Sequence, residues 1–225
     1  MSKSFAIYLP AYNAALTLPR VLDRIPKDLK GAAAKILVVD NHSSDDTEAV
    51  ALKYKAEHNV QNLAVIRNQQ NLGYGGSQKV AYRYCIEQGI DVVAMVHADG
   101  QYAPEILAEM MSPVLKGEAD MVFGSRIAGN PLKGGMPLHR FLGNRVLTTV
   151  QNVFLGSRLT EFHSGYRIFS VPALARLNFA KLSDDYHFDT EMIILHLRAG
   201  LKIVERPIPT HYGDEKNYVN IWAYG

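Results

Sequence analysis

Short apolar runs alternate with helical-period stretches through the first half of the chain. Phe5-Ala6-Ile7-Tyr8-Leu9 reads as a strand ended by Pro10, and Leu18–Ile25 as the helix after it. Ile36-Leu37-Val38-Val39 is apolar throughout, as a strand covered on both faces of a parallel sheet must be, and Asp40–Ser44 form its loop. Asp45 and Glu48 predict a capping box for a helix running to about Glu57. Leu63–Ile66 is a third strand, followed by a glycine-bearing loop and a helix ending at Gly89. Val92–Val96 is a fourth, Pro104 opens the next helix, and Met121–Gly124 is a fifth strand. This alternation predicts an α/β, Rossmann-like open sheet, mostly parallel, with helices on both faces. Such sheets bind ligands beyond the carboxyl ends of their strands.

The second half is less regular. Ile127–Pro137 carries Gly129, Gly134, Gly135, Pro131 and Pro137, the composition of a mobile connection. Leu138, Phe141, Leu142, Leu147, Val150, Val153 and Phe154 recur at helical spacing, with Arg140, Asn144, Arg145, Thr148 and Gln151 off the stripe. A helix over 138–154 with this stripe either packs on the sheet or lies at a membrane surface. Phe188–Leu197 predicts a buried helix and Ile203–Pro207 a late strand, whereas Tyr212–Tyr224 has no readable pattern.

Composition narrows the class. At 225 residues, 48% hydrophobic and 20% charged, the chain is an ordinary globular one. The net charge of +2 is small, its excess lies between Arg126 and Arg167, and no nucleic-acid partner is expected. Cys85 is the sole cysteine, so no internal disulfide forms and a reducing compartment is expected. No run approaches the roughly 20 apolar residues of a membrane span. The uncharged run Ser4–Pro19 is broken by Pro10, Asn13 and Pro19, which favours a buried first strand over a leader. A cytoplasmic location is expected, with peripheral contact at the inner face of a membrane if the 138–154 helix lies there.

The candidate chemistry sits in the loops. His97-Ala98-Asp99-Gly100-Gln101 falls where the fourth strand ends. A carboxylate and an amide two residues apart can share a hard cation, Mg²⁺ or Mn²⁺, that neutralises a nucleotide's diphosphate. Asp99 and Gln101 are the candidate ligands. His97 either joins them, hydrogen-bonds a sugar or ribose, or closes a buried strand. Asp40 is placed to accept from a base or ribose, since Asp45 already fills the capping role. Asn71–Gly76 either cradles a phosphate on its backbone N–H groups, Gly76 among them, or is a tight loop feeding a helix; Lys79 then reads as a solvated helix residue. Arg126, Arg140 and Arg167 are candidate phosphate forks, with Arg145 and Arg158 read as solvated. Asp189 and Glu191 are candidate general bases; alternatively Asp189 stabilises the N-terminus of its helix.

Taken in order, these loops resemble the GT-A glycosyltransferases of family 2, in the dolichyl-phosphate mannosyltransferase-like branch. The resemblance runs from about Phe5 to Lys216 through Pro10-Ala11-Tyr12-Asn13-Ala14, Val38–Thr47, His97–Gln101, Gly124-Ser125-Arg126 and Ser164-Gly165-Tyr166-Arg167. It implies one GT-A domain over 1–225, with a nucleotide-sugar half at 1–126 and an acceptor half at 127–225. It places Pro10, Tyr12, Asn13 and Asp40 around the nucleotide, and makes His97-Ala98-Asp99-Gly100-Gln101 the metal and nucleotide motif. Arg126, Arg140 and Arg167 then bind the leaving diphosphate or a lipid phosphate. Lys216, in Gly213-Asp214-Glu215-Lys216, joins them through a late element of the family. The implied reaction is inverting transfer from a nucleotide-diphosphate sugar, with polyprenyl phosphate the leading acceptor and a saccharide hydroxyl the alternative. Three positions depart from the pattern, Ala14, Asn41 and His97. The last two thin the carboxylate cluster and motivate a non-catalytic nucleotide-sugar sensor. Nucleotidyl transfer is a further class, but Pro10–Ala14 stands where such enzymes usually carry a glycine-rich loop with a lysine.

Overall fold

The protein was analysed as a computed structural model that describes residues 3–132 and 134–209. Five strands fall where the pattern places them: β1 Phe5–Ala11, β2 Lys35–Asp40, β3 Leu63–Arg67, β4 Val92–Met95 and β5 Met121–Ser125. β6 (Arg167–Ser170) and β7 (Ile203–Pro207) complete a seven-stranded sheet of order β3-β2-β1-β4-β6-β5-β7. β6 is antiparallel to both β4 and β5, and the other pairings are parallel. That reversal matters for the site. The register Ala94↔Ile168, carried three residues along, brings Gly165 opposite His97.

The helices are α1 Leu18–Arg24, α2 Lys27–Ala32, α3 Thr47–Glu57, α4 Gly73–Glu87, α5 Leu107–Leu115, α6 Leu138–Leu155, α7 Val171–Ala175 and α8 Phe188–Arg198. Successive strand side chains point to opposite faces, so β1 sends Phe5, Ile7 and Leu9 to one core and Ala6 and Tyr8 to the other. Buried residues of α1, α3 and α5 close the first core, and those of α4, α7 and α8 close the second. Burial pushes the Cys85 thiol up to about 12, so it is a packing residue rather than a reactive one.

One local expectation is corrected, and one alternative left open is decided. The capping box at α3 does not form: Asp45 accepts from the Thr47 N–H at 3.0 Å, while Glu48 pairs with Arg67 at 3.3 Å. α6 does not pack its stripe on the sheet. Its inward residues are Asn144, which donates to the buried Glu161 at 3.0 Å, Thr148, which donates to Asn144 Oδ1, and Asn152, which donates to Leu159 O at 2.7 Å. The apolar stripe faces out instead, with Val153 77% and Phe154 84% exposed, and Val146 beside it is 64% exposed. A buried carboxylate needs donors more than a helix needs apolar contact, and the polar face of α6 supplies one.

His196 of α8 is fully buried, donates Nδ1–H to Met192 O at 2.7 Å and leaves Nε2 without a partner among the described residues. Burial pulls its pKa from 6.5 down to about 4. Above pH 6.5 the folded and unfolded chains are both neutral at this residue. Between 6.5 and 4 the unfolded chain takes up a proton that the folded chain refuses, so stability falls by up to about 3 kcal/mol. Urea midpoints at pH 7.5 and 4.5 should therefore diverge more in the wild type than in His196→Leu. Equal divergence would remove His196 as the cause.

Candidate active site at the strand ends

The loops after β1 and β2 are tied to each other. Asn13, at φ 51°, accepts from Ser44 N–H at 2.9 Å, and the N–H groups of Asn13, Ala14 and Ala15 donate to Ser43, Thr47 and Asp45. Asn13 thus builds the loop. Tyr12 beside it is 46% exposed, while Pro10 still belongs to β1 and pairs with Val39. Asp40 ends β2 completely buried. Its Oδ1 accepts from the N–H and Oγ–H of Ser43, at 2.9 and 2.5 Å, and its Oδ2 pairs with Arg67 at 3.2 Å. Oδ2 is the only oxygen a base could take over, in exchange with Arg67. Sequence reasoning missed Arg67, although Asp40 and Arg67 are direct partners across β2 and β3.

The phosphate-cradle reading of Asn71–Gly76 is not carried by the geometry. The N–H groups of Gly75 and Gly76 both donate to Asp184 O, at 2.8 and 3.2 Å. A Cβ on Gly75 would sit 2.6 Å from both Ser183 O and Phe188 Cβ. These glycines let the segment before α8 approach α4. Lys79 is likewise buried, not solvated, and its ammonium pairs with Asp184 at 2.7 Å.

The end of β4 is where most of the candidates meet. Asp99 is exposed, and its Oδ1 accepts from the backbone N–H of Gln101 at 2.9 Å, which closes a tight turn between them. Ala98 is buried in the first core. The His97 ring packs against Tyr102 at 5.1 Å between centroids, and its Nε2 lies 3.2 Å from Gly165 O and 3.3 Å from Tyr74 Oη. Tyr74 in turn donates to Asp189 Oδ2 at 2.9 Å. Burial first, and then the charge of Asp189, hold the Tyr74 phenol well above its ordinary pKa, so its proton stays in that bond. Tyr186 stacks on Tyr74 at 4.9 Å, and its own pKa is raised by burial and then by the charge of Asp99.

Asp189 is not a free base. Besides Tyr74 it accepts from Gln78 Nε2 at 3.2 Å and pairs with Arg167 Nε at 3.3 Å. Glu191 accepts from both the N–H and the Oγ–H of Ser183 at 2.8 Å, which fixes the turn before α8. Arg167 is completely buried, lies over the Phe123 ring at 5.8 Å and donates to Phe162 O at 3.2 Å. A guanidinium so enclosed holds the scaffold and does not reach a substrate phosphate. Arg126 binds the buried Glu161 through its guanidinium and backbone N–H, and donates to His163 O at 3.0 Å. Arg140 is half-buried on α6, and Lys216 lies outside the described residues.

No group of three or more His, Cys, Asp or Glu side chains able to hold a metal ion occurs among the described residues. The donors present fit a different mode. Mg²⁺ and its like are commonly held by one or two carboxylates together with substrate phosphates, rather than by an all-protein cage. Asp99 Oδ2, which has no hydrogen bond among the described residues, is open to that partial shell, with Gln101 two residues on.

The glycosyl transferase family 2 model matches residues 6–177. The low-salt glycan biosynthesis hexosyltransferase Agl6 of Haloferax volcanii is 36% identical over 177 residues, 78% of this chain and 40% of that protein. The undecaprenyl-phosphate mannosyltransferase of Micrococcus luteus is 30% identical over 205 residues, 89% of this chain and 80% of that protein. A crystal structure of glucosyl-3-phosphoglycerate synthase from Mycobacterium tuberculosis, in complex with Mn²⁺, UDP-glucose and phosphoglyceric acid, superposes with a TM-score of 0.66 at 22% identity. It covers 95% of this chain and 73% of that one, a likeness of fold, which is GT-A.

Proposed function

The chain belongs to glycosyl transferase family 2, and from that premise we propose that it moves a sugar from a nucleotide-diphosphate sugar to a polyprenyl phosphate, with inversion at the anomeric carbon. The donor lies across the carboxyl ends of β1, β2 and β4. Tyr12 stacks on the base, Asp40 Oδ2 and Arg67 read its edge, and Asp99 with Gln101 hold the divalent ion at the diphosphate. Bound there, that ion neutralises charge on the departing nucleoside diphosphate. Arg126 and Arg140 stand on the acceptor side. Arg126 presents a guanidinium already oriented by Glu161, and Arg140 lies near the start of α6.

One observation carries the acceptor class: both candidate bases are engaged, Asp189 by Tyr74, Gln78 and Arg167, and Glu191 by Ser183. A sugar hydroxyl must lose a proton to attack and profits from a free carboxylate within reach. A phosphate is already anionic and needs none. The relative from Micrococcus is named for an undecaprenyl-phosphate acceptor, which supports the same choice. The test is product chemistry. Transfer from a panel of GDP- and UDP-sugars to polyprenyl phosphate should give a lipid-linked sugar released by mild acid. Sugar transferred only to saccharides would overturn this acceptor.

A lipid acceptor asks for a surface that meets lipid, and the outward stripe of α6 fits one. The helix carries Arg140 and Arg145 and no acidic residue, the charge pattern that anionic lipid attracts. No helix among the described residues is long and apolar enough to cross a membrane. Contact through α6 would therefore be peripheral. Flotation with vesicles rich in anionic lipid should recover the wild type, and Val146→Glu with Val153→Glu should leave most of it unbound. Equal recovery of the two would remove α6 as the contact.

A further inference from the structure

The loops around Asp40 have few side-chain oxygens left to accept a hydrogen bond, and that shortage chooses between bases. Asp40 is completely buried, and its Oδ1 already takes two donors, the N–H and Oγ–H of Ser43. Its neighbours are filled in the same way. Asn41 Oδ1 takes Asn68 Nδ2 and Leu72 N–H, both at 2.9 Å. Asn13 Oδ1 takes the N–H of Ser44 at 2.9 Å and its hydroxyl at 3.1 Å. Asn71 Oδ1 takes Asn41 Nδ2 and Gly73 N–H, both at 2.9 Å. An amide oxygen has two lone pairs, so all three asparagines are saturated.

Asp40 Oδ2 is different. Its one partner among the described residues is Arg67 Nη1 at 3.2 Å. Arg67 is exposed, and two further contacts keep it in place when Oδ2 changes partner. Its Nη2 donates to Ser43 O at 2.9 Å, and its Nη1 lies 3.3 Å from Glu48 Oε2. Glu48 is thereby the counter-charge of Arg67 and not a second acceptor for a base. The site offers one acceptor, Asp40 Oδ2, and beside it one donor, the Arg67 guanidinium.

Bases differ in what they bring to such a pair. Uracil presents a single N–H, at N3, flanked by carbonyl oxygens, so N3–H fills Oδ2 while a carbonyl meets Arg67. Guanine presents N1–H and O6 in the same alternation, but adds a 2-amino group beside N1. That group would press on loops whose side-chain oxygens are filled, and an enclosed N–H without a partner costs its full desolvation. Adenine and cytosine have no ring N–H on this edge, and their ring nitrogen would set a lone pair against the carboxylate.

We infer that the donor is a uridine diphosphate sugar, selected over a guanosine one by the single open oxygen of Asp40. The inference rests on the proposed donor site and deepens it by naming the base. Arg67 is the specificity-determining residue, because it supplies the donor that meets the uracil carbonyl.

The test is calorimetric titration of the full chain, with Mn²⁺ present, with UDP, GDP and IDP. Inosine lacks only the 2-amino group of guanosine, so its base brings one N–H and one carbonyl to the site, as uracil does. UDP should bind about 10-fold more tightly than GDP, and IDP should recover most of that difference. GDP binding as tightly as UDP, or IDP binding no better than GDP, would overturn the inference and leave the transferase reading intact. No binding of any of the three would overturn both.

Discussion

Asp99→Asn is expected to lower kcat/KM for sugar transfer by about 10²–10³-fold, the usual cost of removing one group that stabilises developing charge. The substitution is chosen to keep the fold. Asparagine retains the oxygen that accepts from Gln101 N–H, so the turn survives while the anionic ligand is lost. Asp99 is exposed, and a surface change of this kind moves stability by no more than about 0.5 kcal/mol. Turnover with a fixed donor and saturating Mn²⁺, beside a urea melt of the same preparation, checks both halves. Full turnover in the variant would remove Asp99 from the chemistry.

Asp189→Asn should act through stability first. Removing one partner of a buried ion pair leaves the other charge uncompensated, at a cost of about 3–5 kcal/mol. Arg167 is the partner left behind, completely enclosed, with Nε and Nη1 already without hydrogen bonds among the described residues. Arg167→Met combined with Asp189→Leu should recover a large part of that loss, because two apolar side chains leave no buried charge. Urea denaturation of the single and double variants measures it. If Asp189→Asn instead melted like the wild type and still lost turnover, Asp189 would act as a base, and a hydroxyl acceptor would return.

Much of the donor half was legible because its signals are local. Val38–Asp40 and Val92–Val96 are apolar runs ending in polar loops, and parallel pairing alone brings such ends together. The acceptor half depends on partners distant in sequence. Nothing near Arg167 announces that β6 runs backward between β4 and β5, yet that reversal buries its guanidinium beside Asp189. The glycines at 75 and 76 carry a loop signal that fits a phosphate or a close chain equally well, and only the approach of Ser183–Phe188 decides between them. At α6 the stripe was legible and its direction was left open, since direction depends on Glu161, whose burial the sequence does not disclose. Tyr74 and Gly165 lie in loops the sequence singled out, but that both meet His97 depends on packing between distant segments.

The most direct test is a crystal structure of the protein with a nucleoside diphosphate and Mn²⁺. The expected result is an ion roughly 2 Å from the Asp99 carboxylate, bridging to the diphosphate, with the base beside Tyr12 and Asp40. A diphosphate seated elsewhere, with Asp99 turned to solvent and no ion beside it, would contradict the account.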